Sequence, residues 1–303
     1  MMVPYIRAED VEHLLDWNDL VDALLAGHRM ATPEISDQFL HRGDDTLLSR
    51  AAWIDGVGIA VKSVTVMPGN AAHGLPSVHG AMVLFEDKTG QVEAVIDSAL
   101  VTKWKTAGDS VLGARLLARP DSKRLLIVGA GTVAKSLIEA YGAVFPDIEV
   151  TIWNRTPAKA EGLGVAVADD LETAVRAADI ISCATMATKP IIKGEWLCEG
   201  QHLDLIGAFK ADMREADDLA MQRASIFVDS RKTTIEHIGE LMIPIASGAI
   251  SAGDVLADLF DLAKGQAGRV SPKDITLFKN GGGAHLDLMT GQMILKAWRA
   301  IGF

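Results

Sequence analysis

The chain has little of what a disulfide scaffold, a metalloprotein, a membrane protein or a nucleic-acid binder would need. Among its 303 residues only Cys183 and Cys198 are cysteines, and no His/Cys cluster has metal-site spacing. Two such thiols read as small buried apolar residues, and no metal is expected. No uncharged apolar run approaches the roughly 18–20 residues that cross a bilayer. The N-terminus places Arg7, Glu9, Asp10, Glu12 and His13 where a secretory leader would carry its apolar core. The chain therefore reads as soluble and cytoplasmic, with no membrane partner. Positive charge is scarce as well: 29 Lys and Arg against 40 Asp and Glu leave 29 − 40 = −11. That excess argues against a broad nucleic-acid surface, which requires clustered cations, but leaves room for small basic sites.

What is present is enough apolar material for a sizeable core. Hydrophobic residues make up 49% and charged residues 23% of the chain, so disorder and low-complexity assemblies are excluded. At roughly 150 residues per domain, the length suggests one large or two ordinary domains. Residues 9–30 carry Val11, Leu14, Leu15, Leu20, Val21, Leu24 and Leu25 at helical spacing. From Thr46 to Asp97 the pattern turns to short β-rich runs, including a hairpin of Ala81–Glu86 and Gln91–Asp97 around Asp87-Lys88-Thr89-Gly90. Helical spacing returns over residues 98–118 and stops at Arg119-Pro120, a plausible domain boundary.

Beyond Pro120 strands and helices alternate, which favours a parallel doubly wound sheet. The strand candidates are Leu125–Val128, Val150–Trp153, Ile180–Ala184, Leu203–Ile206, Ile226–Asp229 and Ile275–Phe278, and a final helix is expected over Ala284–Phe303. The first strand runs into Gly129-Ala130-Gly131-Thr132-Val133-Ala134, a G-x-G-x-x-G/A turn opening a helix over Ala134–Phe145. Gly129 permits the tight turn, Gly131 lets the backbone approach a pyrophosphate, and Ala134 allows close helix packing. Where an NAD-selective site offers a carboxylate to the ribose, this chain has Asn154-Arg155-Thr156. A carboxylate would repel a 2′-phosphate, whereas Arg155 pairs with one through its planar fork and Thr156 adds a hydroxyl. NADP(H) is thus favoured, with NAD(H) possible. Ala184 and Thr185, after the strand at 180, are expected to border the cofactor.

Several further motifs resemble the ornithine cyclodeaminase/μ-crystallin family along essentially the whole chain. They are Val61-Lys62-Ser63-Val64, Met67-Pro68-Gly69-Asn70, Gly74-Leu75-Pro76-Ser77, Trp104-Lys105-Thr106-Ala107, and Thr276-Leu277-Phe278 with Gly283-Ala284. The resemblance implies an α/β protein: a Rossmann doubly wound dinucleotide-binding domain (residues 120–283) inserted in an α+β substrate and dimerisation domain (1–119 with 284–303). It also implies a homodimer acting on a small imino or amino acid. By motif, the substrate carboxylate falls to Arg42, Lys62, Ser77 and Lys105, with Lys62 and Lys105 as the catalytic candidates. Lys105 stands where the family has arginine and keeps the charge without the fork, which makes Arg50 a second candidate. Phe209 takes the place of an aspartate that serves the cyclodeaminases as base, and either packs on the body of the substrate or fills the edge of the sheet.

These features point to NADPH-dependent reduction of a cyclic ketimine carboxylate such as Δ1-pyrroline-2-carboxylate. Ornithine cyclodeamination, amino-acid dehydrogenation and μ-crystallin-like ligand binding are the alternatives.

Overall fold

The computed structural model describes residues 3–302, and two units within them follow the change of pattern in the sequence. Among the described residues the first comprises 3–105 and 283–302. Its six-stranded sheet contains β1 (Tyr5–Ile6), β2 (Glu34–Arg42), β3 (Asp45–Ile54), β4 (Gly58–Val66), β5 (Val78–Phe85) and β6 (Val92–Asp97), in the order β1-β6-β5-β4-β3-β2. From β2 to β6 the strands pair antiparallel, and β1 joins β6 in parallel. Ala52, Ile54, Ala60, Val64, Met82, Leu84, Ala94 and Ile96 alternate onto the buried face, as expected of a sheet packed on one side. The C-terminal helix, Ala284–Ala300, packs against β3 and β4 and against the helix Trp17–His28. Close approach depends on Gly291, where a Cβ would collide with the methyl end of Met82.

Two helical expectations are corrected at their ends. The stretch 9–30 is α1 (Ala8–Val11), a 3-10 turn at Glu12–Leu14 and α2 (Trp17–His28). The Asp16 carboxylate caps α2 by accepting from the Asn18 and Asp19 amides at 2.8 and 3.2 Å, which requires extended backbone at Asp16 and breaks the run. The last helix ends at Ala300; Phe303 lies outside the described residues, as do Met1 and Met2.

The second unit, residues 106–282, holds an eight-stranded, all-parallel sheet. Its strands are β7 (Arg124–Val128), β8 (Glu149–Trp153), β9 (Ala166–Val167), β10 (Ile180–Cys183), β11 (His202–Leu205), β12 (Ser225–Val228), β13 (Val255–Asp258) and β14 (Thr276–Lys279), ordered β13-β12-β14-β11-β10-β7-β8-β9. The central strands are buried along their length, which explains their nearly continuous apolar runs. Strand order reverses between β7 and β10, so a crevice opens beyond their carboxyl ends.

The boundary between the units is not at Pro120. It falls between Lys105 and Thr106, inside the continuous helix α3 (Ser98–Leu117). Residues past Thr106 belong to the second core: Ser110 donates to buried Asp204, and a Cβ on Gly113 would strike the ring of Phe278. The helix ends at Leu117, just before Pro120, whereas the packing of its last three turns decides which core it serves. No helix among the described residues is long and apolar enough to cross a membrane.

Candidate active site

In the second unit the turn after β7 is shaped by Gly129, whose φ of +109° excludes side chains and whose Cβ would lie 2.7 Å from the Ala184 carbonyl oxygen. Gly131 is the N-cap of α4 (Thr132–Val144), where Thr132 and Val133 provide the first helical amides, and a Cβ on Gly131 would meet no atom. Buried Ala134 seats the helix against the sheet. Together these give a phosphate-sized approach to free helix N–H groups and the positive end of the helix dipole.

Asn154 ties this turn to the next loop. Its Oδ1 accepts from the Ala130 amide at 3.2 Å, and its Nδ2 donates to the Thr156 carbonyl at 2.8 Å. The turn and Arg155 line one cleft of about 550 Å³, along with Lys159, Lys189, Ala184 and Thr185. Arg155, Thr156 and Lys159 are exposed there, and no carboxylate lines the cleft among the described residues. Lys159 and Lys189 escape a reading based on the single position at the end of the second strand. The signal for Lys159 was its spacing four residues after Arg155. A dinucleotide fits this chemistry: glycine turn, helix amides and three cations.

A buried carboxylate outside the cleft's lining holds the loop that carries Thr185. Glu215 accepts from the Thr185 amide (2.7 Å), the Thr185 hydroxyl (2.8 Å) and the Gly207 amide (2.6 Å). Glu240 in turn accepts from the Glu215 and Ala216 amides at 2.7 and 3.0 Å. Both are fully buried. Burial and then the charge of Glu215 raise Glu240 to about 7. Burial likewise raises Glu215, against the pull of Lys279 and the donors from Thr185. The loops carrying Thr185 and Gly207 are thus latched from beneath. Phe209, two residues on, stands 54% exposed with the Lys210 ammonium 5.5 Å from its ring centroid, so it does not fill the sheet edge.

In the first unit, antiparallel register assembles a row of charges. The turn at residues 55–57 pairs Ile54 with Gly58 and therefore Arg50 with Lys62, while the turn at 43–44 pairs Arg42 with Asp45 and therefore Asp37 with Arg50. Directly opposed residues share a face, so Asp37, Arg50 and Lys62 line up across β2, β3 and β4. Arg50 forks onto Asp37, its Nε reaching Oδ1 at 3.2 Å and its Nη2 reaching Oδ2. Lys62 is buried and donates to Asp287 of the C-terminal helix at 2.5 Å and to the Thr102 hydroxyl at 3.4 Å. Thr102 and Lys105 are three apart on α3 and share a face, and Lys105 is also buried.

The row is electrostatically connected. Burial pushes the Lys62 ammonium down, Asp287 opposes that shift, and Lys105 and Arg50 add to it. Burial alone would raise the Asp287 carboxyl, but Lys62, Lys105 and Arg50 hold it below its ordinary value. His285, buried two residues before Asp287, is held well down by burial, His28, Lys105 and Arg50, and stays neutral.

The structure thus brings Arg50, Lys62 and Lys105 together and places Arg42 apart from them. Arg42 sits at the β2–β3 hairpin tip, its side chain 82% exposed and paired to Asp45 at 2.8 Å. It lies five residues past Asp37, about 17 Å along the strand. Ser77 enters β5 five residues before Met82, the partner of Lys62, and its carbonyl accepts from the Met67 amide at 2.7 Å. Of the two cysteines, Cys183 is buried and Cys198 only partly.

A doubly wound dinucleotide-binding unit and a second unit presenting buried cations define a class: nicotinamide-dependent enzymes of small carboxylates. Residues 20–301 match the ornithine cyclodeaminase/mu-crystallin family, and the chain belongs to it. It is 56% identical, over 96% of both chains, to a Δ1-pyrroline-2-carboxylate reductase of Paracoccus denitrificans. Among solved structures it is similar to the Thermococcus litoralis Δ1-pyrroline-2-carboxylate reductase in complex with NADH and L-proline. That similarity has a TM-score of 0.90 and 26% identity, covering 99% of this chain and 98% of the other. An archaeal alanine dehydrogenase dimer with bound NAD superimposes with a TM-score of 0.92 at 27% identity, covering 100% and 98%.

Proposed function

We propose that this chain reduces the C=N bond of a cyclic ketimine carboxylate, with Δ1-pyrroline-2-carboxylate as the leading substrate and NADP(H) as the preferred cofactor. The observation that carries the reading is the cationic row of half-buried Arg50 and buried Lys62 and Lys105 on a unit joined to a dinucleotide-binding unit. Convergent cations fix a carboxylate and thereby the adjacent α-carbon. A nicotinamide dinucleotide, when bound, supplies a hydride. The protonated ketimine accepts it at the α-carbon while the C=N π pair becomes the nitrogen lone pair, so the product is a cyclic amino acid and no general base is required. Phe209, which cannot accept a proton, is compatible with that chemistry and not with base-assisted deamination. The 56% identical relative and the proline-bound neighbour support the same substrate class.

Preference for NADP(H) rests on Arg155, Lys159 and Lys189 around a cleft without carboxylates. A homodimer is supported by β2, an outer strand exposed along nearly its whole length with Phe39 and Leu40 each 54% exposed. Such an edge is a template for pairing.

The test is oxidation of NADPH and NADH against five- and six-membered ketimine carboxylates and against pyruvate with ammonia. Turnover with the cyclic ketimines is expected. Release of proline and ammonia from ornithine with NAD, without net cofactor turnover, would overturn the assignment.

A further inference from the structure

We propose that Asp37 and Asp287 set the charge of the carboxylate-binding row to a single positive unit, and so make this site selective for ligands bearing one carboxylate over those bearing two. The inference rests on the carboxylate-binding role given to the row above, and extends it to a specificity determinant supplied by the two acids.

The row draws its charged groups from every element packed around it in this unit: Asp37 on β2, Arg50 on β3, Lys62 on β4, Lys105 on α3 and Asp287 on the C-terminal helix. Its histidines, His28 on α2 and His285, are neutral; burial brings His28 to about 4 and lowers His285 strongly. Three cations and two carboxylates leave 3 − 2 = +1. The pairing is specific. Asp37 takes the fork of Arg50 with both oxygens, and Asp287 takes Lys62 in a buried ion pair. Lys105 is the cation left over, with no ion pair or hydrogen bond among the described residues.

One carboxylate brought to Lys105 completes the balance, with the donors of Arg50 and Lys62 already fixed in orientation by their acids. A second carboxylate on the same ligand finds no uncompensated cation. It must instead face Asp37 or Asp287, where like charges repel, most strongly at the buried Asp287. Asp287 thus doubles as a positioning residue for Lys62, and Asp37, on the outer strand, as one for Arg50.

The experiment is calorimetric titration of the whole protein, saturated with NADP+ or NAD+, with L-proline and L-aspartate as one- and two-carboxylate probes. Wild type is expected to bind proline and to discriminate against aspartate. Asp37→Asn adds one positive unit and is expected to shift the aspartate-to-proline affinity ratio towards aspartate by about tenfold or more, and Asp287→Asn is expected to shift it in the same direction. Asp287 is buried, so its variant is read only where circular dichroism shows a native fold. Asp37 is partly exposed, and its variant keeps the test decisive. A wild type that binds aspartate as tightly as proline overturns the inference, and so does a folded Asp37→Asn protein with an unchanged ratio. The two readings separate cleanly. Ketimine turnover with an unmoved ratio removes this inference and leaves the reductase, whereas a moved ratio without any ketimine turnover removes the reductase and leaves the charge matching.

Discussion

Replacing Asp204 by asparagine should stabilise the second unit in a pH-dependent way, and the size of the effect follows from one buried carboxylate. Asp204 lies on β11 with no solvent exposure. Its Oδ2 accepts from the Ser110 hydroxyl and from the Ser182 hydroxyl at 2.6 Å, and its Oδ1 accepts from the Asn280 amide at 2.5 Å. Burial wins over those donors and over nearby Lys279, and raises the carboxyl from 3.8 to about 6. A raised carboxyl means that the folded chain holds a proton the unfolded chain has released. Stability from this site is therefore complete below the unfolded value and declines as pH climbs to about 6. At about 1.36 kcal/mol per pH unit, the total loss is about 3 kcal/mol.

Asp204→Asn cannot ionise. Its carbonyl oxygen keeps both serine donors, and its amide faces Asn280, whose Oδ1 has no partner and is presented by a simple amide flip. The difference in stability between variant and wild type should grow by about 2 kcal/mol between about pH 4.5 and pH 6, then level off. In a chain of this size that is roughly 4 °C in Tm. Thermal unfolding of both proteins across that range is the assay, and titrations shared by the two, including that of Glu240, cancel in the difference. A gap that stays constant with pH would refute the reasoning even if the variant were more stable throughout.

Two other outcomes test the cofactor cleft. Arg155→Ala should weaken NADPH by roughly ten- to a hundredfold, the worth of a charge-assisted fork, and leave NADH within about threefold; equal losses in fluorescence titrations would reject contact with a 2′-phosphate. Gly129→Ala forces a side chain onto a φ of +109° and against the Ala184 carbonyl, so dinucleotide affinity should fall at least about tenfold by displacement of the turn, and a variant binding as wild type does would show that the turn is not held against β10.

How much of this was legible in the sequence depended on how local the determining physics is. The β7–Gly129–α4 unit could be read because a buried strand, a glycine turn and a helix start are neighbours in the chain, and the structure keeps them within a residue or two of their expected bounds. Arg50 beside Lys62 was within reach, because the turn at 55–57 dictates that pairing by register alone. Strand β2 was missed because Glu34–Arg42 is exposed nearly throughout and carries no apolar alternation, and with it went Asp37 and the reason Arg42 stands at a hairpin tip. Asp287 lies 225 residues from Lys62, and on a helix whose first two turns are buried on every side no periodicity marks which face carries the charge. The boundary inside α3 was hidden for the same reason, since a helix serving two cores keeps one continuous apolar pattern. Asp287 can be named from the sequence as able to face the site from the final helix, so what escaped is Asp37 and the pairing of Asp287 with Lys62 rather than the cations. A cation in a motif announces a ligand, whereas the carboxylate that tunes it is free to arrive from any element the fold delivers, and only the folded chain reveals how much charge remains for a substrate.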